Sequence, residues 1–207
     1  MDRSLSLQLA EQGAVIPIGT DLVLREKVDP EGILLDGTEL GKLFCEGATR
    51  YQTPLALPVM DLELEKQYLL KTLGIPVEQR ATFHFPQPPG PGALEAAKGL
   101  VHARLTPRMQ AMVEAVGYVA SQPDVIPVGM CIGPFSLMTK LVSDPIVPIA
   151  LAASGVTAAE DREVRLIEEC LELATRVILR NAEAQIKAGA RLLVGSEPAA
   201  NAVYFSS

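Results

Sequence analysis

The chain has 207 residues, 48% of them hydrophobic, which is enough to bury a sizeable core in a single domain. Its 25 acidic and 18 basic residues give a net charge of −7 without any basic run, so nucleic acid and anionic membranes are poor partners. No segment approaches the roughly 18 unbroken apolar residues of a membrane span, and the N-terminus lacks an apolar signal core, which predicts a cytoplasmic protein.

The first quarter of the chain predicts an extended segment followed by turns and one helix. The stretch "GAVIPIGTDLVL" is interpreted as extended, and the turns are expected at Pro30, Gly32 and Gly37. Apolar residues on one face predict a helix over about 38–51. The run "TPLALPVMD" follows, bounded by prolines and ended by Asp61, a pattern typical of a strand buried on both faces.

The middle of the chain alternates between helices and a proline-rich loop. "LELEKQYLLKTLG" predicts a helix that ends at Gly74, and the carboxylates of "DLELEK" are interpreted as a solvated helix face. "FPQPPGPG", residues 85–92, is predicted to be a loop, because its prolines disfavour regular structure. "LTPRMQAMVEAVGYVAS" predicts a further helix with Pro107 in its first turn.

Two more buried strands are predicted in the second half of the chain. "DVIPVGMCIGP" is the first of them and "RLLVGSE" the second. Between them, a capping box formed by Thr157 and Glu160 predicts the start of a long amphipathic helix that ends at Gly189. Strands and helices in alternation indicate an α/β fold with a parallel sheet and crossover helices.

Neither the cysteines nor the histidines form a recognisable metal or redox motif. Cys45, Cys131 and Cys170 lack C-x-x-C or Cys/His spacing, which indicates reduced thiols in packed positions. His84, between two phenylalanines, and His102, with no nearby acid, are interpreted as structural or surface residues. We therefore predict no disulfide, no metal site and no cofactor bound by this chain.

Candidate reactive residues follow the predicted strands, because parallel α/β folds place their sites at the carboxyl ends of strands. Asp61 follows the first strand and is the candidate catalytic acid. Gly133, Pro134 and Lys140 follow the second strand, and Glu197 follows the third, as candidates for substrate binding. Each also has a structural interpretation: helix capping for the aspartate, a tight turn for the Gly-Pro pair, and solvated surface positions for the lysine and the glutamate.

Three stretches resemble the uroporphyrinogen decarboxylase superfamily: "VIPVGMCIGPFSLMTKLVSD", "VRLIEECLELATRVILRNAEAQIKAGA" and "RLLVGSEPAANAVYFSS". The resemblance implies a (β/α)8 TIM barrel whose first three strands are "LALPVMD", "VIPVGMCIG" and "RLLVGSE". It also implies a small-molecule substrate at the barrel mouth, which Asn201 would line together with Asp61 and Glu197. On this basis residues 1–207 form a single domain, with an N-terminal segment and helix over 1–52 and an incomplete barrel over 53–207.

Departures from the family pattern favour one branch of the superfamily over another. The arginine-rich R-Q-A-G-R motif of true decarboxylases is replaced by "PIGTDLVLRE", and their tyrosine and serine are replaced by Lys140 and Pro198. The resemblance therefore favours the methyltransferases that move methyl groups between methylcobalamin and thiols. That branch implies cobalamin carried by a corrinoid protein, and zinc held by one histidine and two cysteines. These zinc ligands have no match here, which predicts the front portion of a longer barrel.

Three functions remain open at this point. The chain is the front part of a corrinoid-linked methyltransferase, part of a decarboxylase-like enzyme for a tetrapyrrole, or a non-catalytic barrel fragment that recruits a partner. In each case the third strand would leave an unpaired sheet edge, and such edges pair with other chains. We therefore expect a homo-oligomer, with contacts in about 191–207.

Overall fold

The computed structural model describes residues 3–14, 16 and 19–200. Its strands are β1 (Leu55–Ala56), β2 (Ile126–Ile132) and β3 (Leu192–Ser196). Its α-helices are α1 (Arg3–Glu11), α2 (Thr20–Arg25), α3 (Pro30–Ile33), α4 (Gly37–Arg50), α5 (Leu64–Thr72), α6 (Val77–Arg80), α7 (Gly90–Lys98), α8 (Pro107–Ala120), α9 (Pro134–Leu141), α10 (Ile146–Ala153) and α11 (Arg162–Ala188). A 3-10 turn, Gly99–Val101, follows α7.

Two compact units divide the chain, and each is built from three separate segments. The first unit contains residues 1–61, 105–131 and 181–194, and the second contains 62–104, 132–180 and 195–207. The predicted single domain over residues 1–207, with an N-terminal segment over 1–52, stays a prediction. Each unit is described by itself below.

The sheet has the order β1-β2-β3, and β1 pairs with β2 in parallel, with Leu55 opposite Ile126 and Ala56 opposite Pro127. The predicted parallel α/β arrangement is confirmed at this level. However, β1 is two residues long, much shorter than the run "TPLALPVMD". Pro58 has no N–H to donate to a ladder.

Side chains of α2 take the backbone groups that a longer β1 would pair. The Thr20 hydroxyl donates to the Leu57 carbonyl at 2.8 Å, and the Met60 N–H donates to the Asp21 carboxylate at 3.1 Å. The residues of α2 were predicted to be extended, so this part of the prediction is wrong. The helix satisfies buried backbone groups that no strand pairs, which a local sequence pattern cannot reveal.

The buried Gln185 side chain of α11 completes β2 in the same way. Its amide nitrogen donates to the Met130 carbonyl, and its amide oxygen accepts from the Met130 N–H, both at 2.9 Å. This side chain is fully buried. It therefore acts as a strand partner for one residue of β2, where an unsatisfied pair of backbone groups would be costly.

An apolar face of the sheet packs against α1 within the first unit. The contact is a buried cluster of six apolar side chains. It contains Leu5 and Leu9 of α1, Leu55 and Leu57 of the β1 segment, and Val128 and Met130 of β2. The sheet residues alternate along each strand, so they point to the same face. A face that an unfinished barrel would leave open is thus covered, in part, by the chain itself.

The helix predicted over about 38–51 is confirmed as α4, and the residue before its first turn explains where it begins. Helix α4 begins where the Asp36 carboxylate accepts from the N–H of Thr38 and of Glu39, at 2.9 and 3.0 Å. The turns expected at Pro30 and Gly32 are instead helix α3, and Gly37 is the first residue of α4. Aspartate before the first helical residue and proline within the first turn both favour helix starts.

Two boundaries differ from the prediction. Thr157 and Glu160 do bond to each other, yet helix α11 begins five residues later at Arg162, because Asp161 accepts from the N–H of Val164 at 3.0 Å. Helix α7 begins inside the predicted loop 85–92, at Gly90. The helix ends at Gly74 and Gly189 are confirmed, and both glycines have the positive φ that suits them, 77° and 115°.

The predicted packed positions are confirmed for two of the three cysteines. Cys131 and Cys170 are buried and Cys45 is half-buried, and within the described residues none of the three forms a disulfide. Burial raises the pKa of Cys170 to about 12, with the nearby Glu169 carboxylate as a second cause.

Among the helices of the described residues, none is both long and apolar enough to cross a bilayer.

Candidate functional site

The turn after β2 connects the strand directly to a helix. The N–H of Gly133 donates to the Ser196 carbonyl at 2.6 Å, which ties the turn to the end of β3. Pro134 is the first residue of α9, a position that needs no N–H donor. The Gly-Pro pair therefore ends β2 and starts α9 in two residues.

Glu197 binds the N-terminus of α9 through both carboxylate oxygens. Its Oε1 accepts from the Phe135 N–H at 3.0 Å, and its Oε2 accepts from the Ser136 N–H at 2.8 Å. A carboxylate at this end also interacts favourably with the helix dipole. The buried Ser136 hydroxyl in turn accepts from the Ala199 N–H at 3.0 Å, so the segment after β3 is held on the helix at two points.

Gly133 leaves room for the Glu197 carboxylate, which lies where a side chain at position 133 would begin. Its φ of −78° is ordinary, so any residue could adopt the backbone conformation. A Cβ atom at this position, however, would lie well inside van der Waals contact with the Glu197 carboxylate carbon. Gly133, Pro134 and Glu197, three of the sequence-predicted residues, are thus brought together in one structure, which we call the α9 turn (residues 132–136 with 196–199).

A second acid, Glu65, reaches the α9 turn and was missed by sequence reasoning. Its side chain is 1% exposed, and Oε1 accepts from the Ile132 N–H at 3.3 Å. The interpretation of "DLELEK" as a solvated face is therefore wrong for this residue. Glu65 stands three and four positions before Tyr68 and Leu69, which are both fully buried. That helical spacing is the signal that could have identified it.

Lys140 lies at the other end of α9 from the turn. It follows Pro134 by six positions, which corresponds to roughly 9 Å along a helix. There it forms an ion pair with Glu63. The structure therefore does not bring Lys140 to the Gly-Pro pair, since both ends of a two-turn helix cannot contact one small group.

Asp61 belongs to the first unit and forms an ion pair with Arg108. Its Oδ2 lies 2.6 Å from a guanidinium nitrogen of Arg108, which stands in the first turn of α8. The Asp61 side chain is 16% exposed and that of Arg108 is 36% exposed. The carboxylate thus keeps some contact with solvent beside a partly exposed cation. Asn201, the remaining candidate, lies outside the described residues.

A cavity of about 370 Å³ lies beside the α9 turn in the second unit. Its lining side chains share an uncharged character: Phe135, Thr139, Pro145, Ile146, Ile149, Pro198 and Ala199. Ligand pockets usually have volumes of about 300 to 1,000 Å³, so the cavity suits a small molecule. Because Glu197 bonds the N–H of Phe135, the carboxylate holds one wall of this cavity in place.

Within the described residues, no three His, Cys, Asp or Glu side chains are grouped as a metal ion requires. These residues therefore do not fit the zinc ion that the methyltransferase resemblance implies. Comparison of the chain with protein-family models, with curated proteins and with solved structures finds no match. The resemblance to the uroporphyrinogen decarboxylase superfamily therefore stays a prediction from the sequence stretches quoted above.

Proposed function

We propose that this chain supplies the first three strand-helix units of a (β/α)8 barrel of the uroporphyrinogen decarboxylase superfamily, and that it serves corrinoid-linked methyl transfer. The methyl group would pass between methylcobalamin on a corrinoid protein and a small thiol or methyl donor. Asp61 is the proposed catalytic residue, and the cavity beside the α9 turn is the proposed substrate site.

One observation carries this proposal: two of the stretches that resemble the family meet in space. "GPFSLMT" begins at Gly133 and "VGSE" ends at Glu197, and the carboxylate of the second bonds two backbone N–H groups of the first. Parallel strands in one sheet bring their carboxyl ends to the same edge, where barrel enzymes hold their sites. The juxtaposition is therefore the one that the resemblance requires of neighbouring strands.

The chemistry of the cavity favours methyl transfer over tetrapyrrole decarboxylation. Its lining side chains carry no charge, and a substrate with many carboxylates would find no side-chain cation among them. An unpaired charge in such a site is costly, whereas a small thioether or thiol is not. This agrees with the absence of the arginine-rich motif from the sequence.

Zinc and the corrinoid enter the proposal only as groups that the family implies. When bound, zinc lowers the pKa of a thiol so that the thiolate is available as the nucleophile. The described residues do not fit a zinc site, and no step is assigned to them through this metal. Their part is to shape the substrate cavity and to present the Asp61 carboxylate.

The test is an activity measurement with two substrates in parallel. The complete product of the gene is incubated with methylcobalamin and 2-mercaptoethanesulfonate, and the methyl thioether is measured by mass spectrometry. A second sample receives uroporphyrinogen, and the loss of carboxyl groups is followed by chromatography. We expect thioether above the protein-free control and no decarboxylation. Decarboxylation without thioether formation would replace the proposal with its decarboxylase alternative.

A non-catalytic role as an assembly domain has one observation in its favour. β3 is the last strand in the sheet order, and Leu192, Leu193 and Val194 are each only half-buried. An exposed strand edge of this kind favours pairing with a second copy. Light scattering at micromolar concentration should then report a dimer or larger assembly. A stable monomer would contradict that role and leave methyl transfer in place.

A further inference from the structure

Charged side chains gather around the start of α5 in the second unit. The group, which we call the Lys66 cluster, consists of Glu63, Lys66, His84 and Lys140. Glu63 and Lys66 stand three positions apart at the start of α5, and Glu63 forms an ion pair with Lys140. The Phe85 N–H donates to the Leu141 carbonyl, which brings His84 close to Lys140. None of these contacts is used by the α9 turn or by Asp61.

Lys66 is an unusual residue because its side chain is only 3% exposed. Its ammonium group donates one hydrogen bond, to the Ala81 carbonyl at 3.2 Å. A lysine ammonium has three donors, and within the described residues the other two have no hydrogen-bonding partner. A buried, incompletely bonded cation is costly unless an anion satisfies it.

The surrounding charges have an excess of positive sign. Burial lowers the pKa of Lys66, while the Glu63 carboxylate acts to raise it and Lys140 acts to lower it. Glu63 also forms the ion pair with Lys140, so one carboxylate serves two lysines. Burial lowers the pKa of His84, and the charge of Lys66 lowers it further.

We propose that the Lys66 cluster binds a small oxyanion, the carboxylate or phosphate group of a ligand. Such an oxyanion would accept from the unused donors of Lys66 and share Lys140 with Glu63. Lys140 already binds one carboxylate in this structure, that of Glu63. Two members of the cluster contact solvent, since His84 is exposed and the side chain of Lys140 is 32% exposed.

The segment that covers Lys66 is fixed at both sides of the cluster. Phe83 and Phe85 pack edge to face with ring centroids 5.0 Å apart, and the Phe85 N–H donates to the Leu141 carbonyl at 2.8 Å. Leu141 follows Lys140, so this bond places the His84 segment next to the end of α9. The cluster is therefore held by backbone contacts and does not depend on long side chains alone.

His84 is a built-in reporter for this proposal, because His84 and His102 are the chain's two histidines. The protein is titrated with sodium phosphate and, separately, with sodium acetate, while sodium chloride keeps the ionic strength constant. The imidazole proton resonances of both histidines are followed by NMR across pH. A bound oxyanion favours the imidazolium form, so the pKa of His84 should rise, and that of His102 should stay unchanged.

Three variants decide whether the response comes from the cluster. Lys66→Met and Lys140→Met should each weaken oxyanion binding roughly tenfold or more, with melting temperature measured to confirm folding. Lys71→Met is the matched control on the same helix, since Lys71 donates to the Arg104 carbonyl instead, and it should bind as the unmodified chain does.

The two anions distinguish the ligand class. Saturation by phosphate alone assigns a phosphate group, and saturation by acetate alone assigns a carboxylate. Equal responses to both anions that do not saturate indicate non-specific association and would overturn the proposal, as would an unresponsive His84 in a folded protein. The proposal stands apart from methyl transfer, so its failure would leave that function untouched.

Discussion

Asp61 and Glu197 both follow strands of the same parallel sheet, yet the two carboxylates have different surroundings. Glu197 directs both oxygens to backbone N–H groups at the start of α9. Asp61 faces the guanidinium of Arg108, a side chain that is more than one-third exposed. Glu197 is bonded to backbone groups of its own unit, and Asp61 forms an ion pair with a partly exposed side chain.

The difference separates a structural acid from a chemically available one. A carboxylate bonded to two backbone donors at a helix start stabilises that helix, because it satisfies N–H groups that have no partner within the helix. A carboxylate beside an exposed arginine can exchange that partner for a substrate group at small cost. We therefore expect substitutions at the α9 turn to affect stability, and substitutions at Asp61 to affect activity.

The largest effect on stability is expected for Gly133→Ala. The added methyl group clashes with the Glu197 carboxylate, and overpacking of this kind costs about 1 to 3 kcal/mol in the free energy of unfolding. Urea denaturation measures the change. Gly92→Ala is the matched control, since a Cβ atom there meets nothing within 4 Å and the residue is helical. An equally stable Gly133→Ala protein would contradict the described packing.

A double substitution sharpens that prediction. In a chain that already carries Glu197→Ala, the methyl group of Gly133→Ala has no carboxylate to meet. The second substitution should then cost less than it does in the unmodified chain, because residues in contact give non-additive free energies. Additive costs would show that the clash lies elsewhere.

Glu197→Ala by itself should destabilise the chain by roughly 1 to 2 kcal/mol, the range measured for lost helix caps. Glu197→Gln should cost less, since its amide oxygen can still accept from one of the two N–H groups. Thermal unfolding followed by circular dichroism compares the variants. Glu183→Gln, at an exposed position of α11, is the control and should unfold as the unmodified chain does.

Arg108→Met should have the smallest effect, about 1 kcal/mol or less, because an exposed ion pair contributes little to stability. The pair is also screened by salt, so the difference from the unmodified chain should shrink further in high salt. Denaturant unfolding at two salt concentrations measures both quantities. A loss several times larger would place Asp61 with Glu197 among the structural acids.

The sequence predicts the parallel order of the sheet, because apolar runs and periodic helices are local signals. It also predicts that the residues after the three strands share a pocket; of these, the structure brings Gly133, Pro134 and Glu197 together and leaves Lys140 at the far end of α9. It does not predict how β1 ends, because side chains of α2 bond the backbone groups that follow the strand. These groups are the Leu57 carbonyl and the Met60 N–H. Such long-range hydrogen bonds leave no periodic pattern.

The interpretation of single acids was less successful for a related reason. Glu65 and Glu63 stand two positions apart in "DLELEK", but Glu65 is buried and Glu63 pairs with Lys140 at a partly exposed position. Their difference follows from the helical rotation of α5 against its neighbours. Both residues are glutamates in the same polar stretch, so the sequence does not distinguish them. They differ in the direction in which each side chain leaves the helix.

Asp61→Asn tests the central claim most directly, because it removes the charge and preserves the shape of the side chain. If the proposed methyl transfer is correct, its rate should fall at least about tenfold, equivalent to roughly 1.4 kcal/mol in the activation barrier, with little change in melting temperature. Full turnover, together with a loss of stability of about 1 kcal/mol, would contradict the account. Asp61 would then be a structural residue, as Glu197 is.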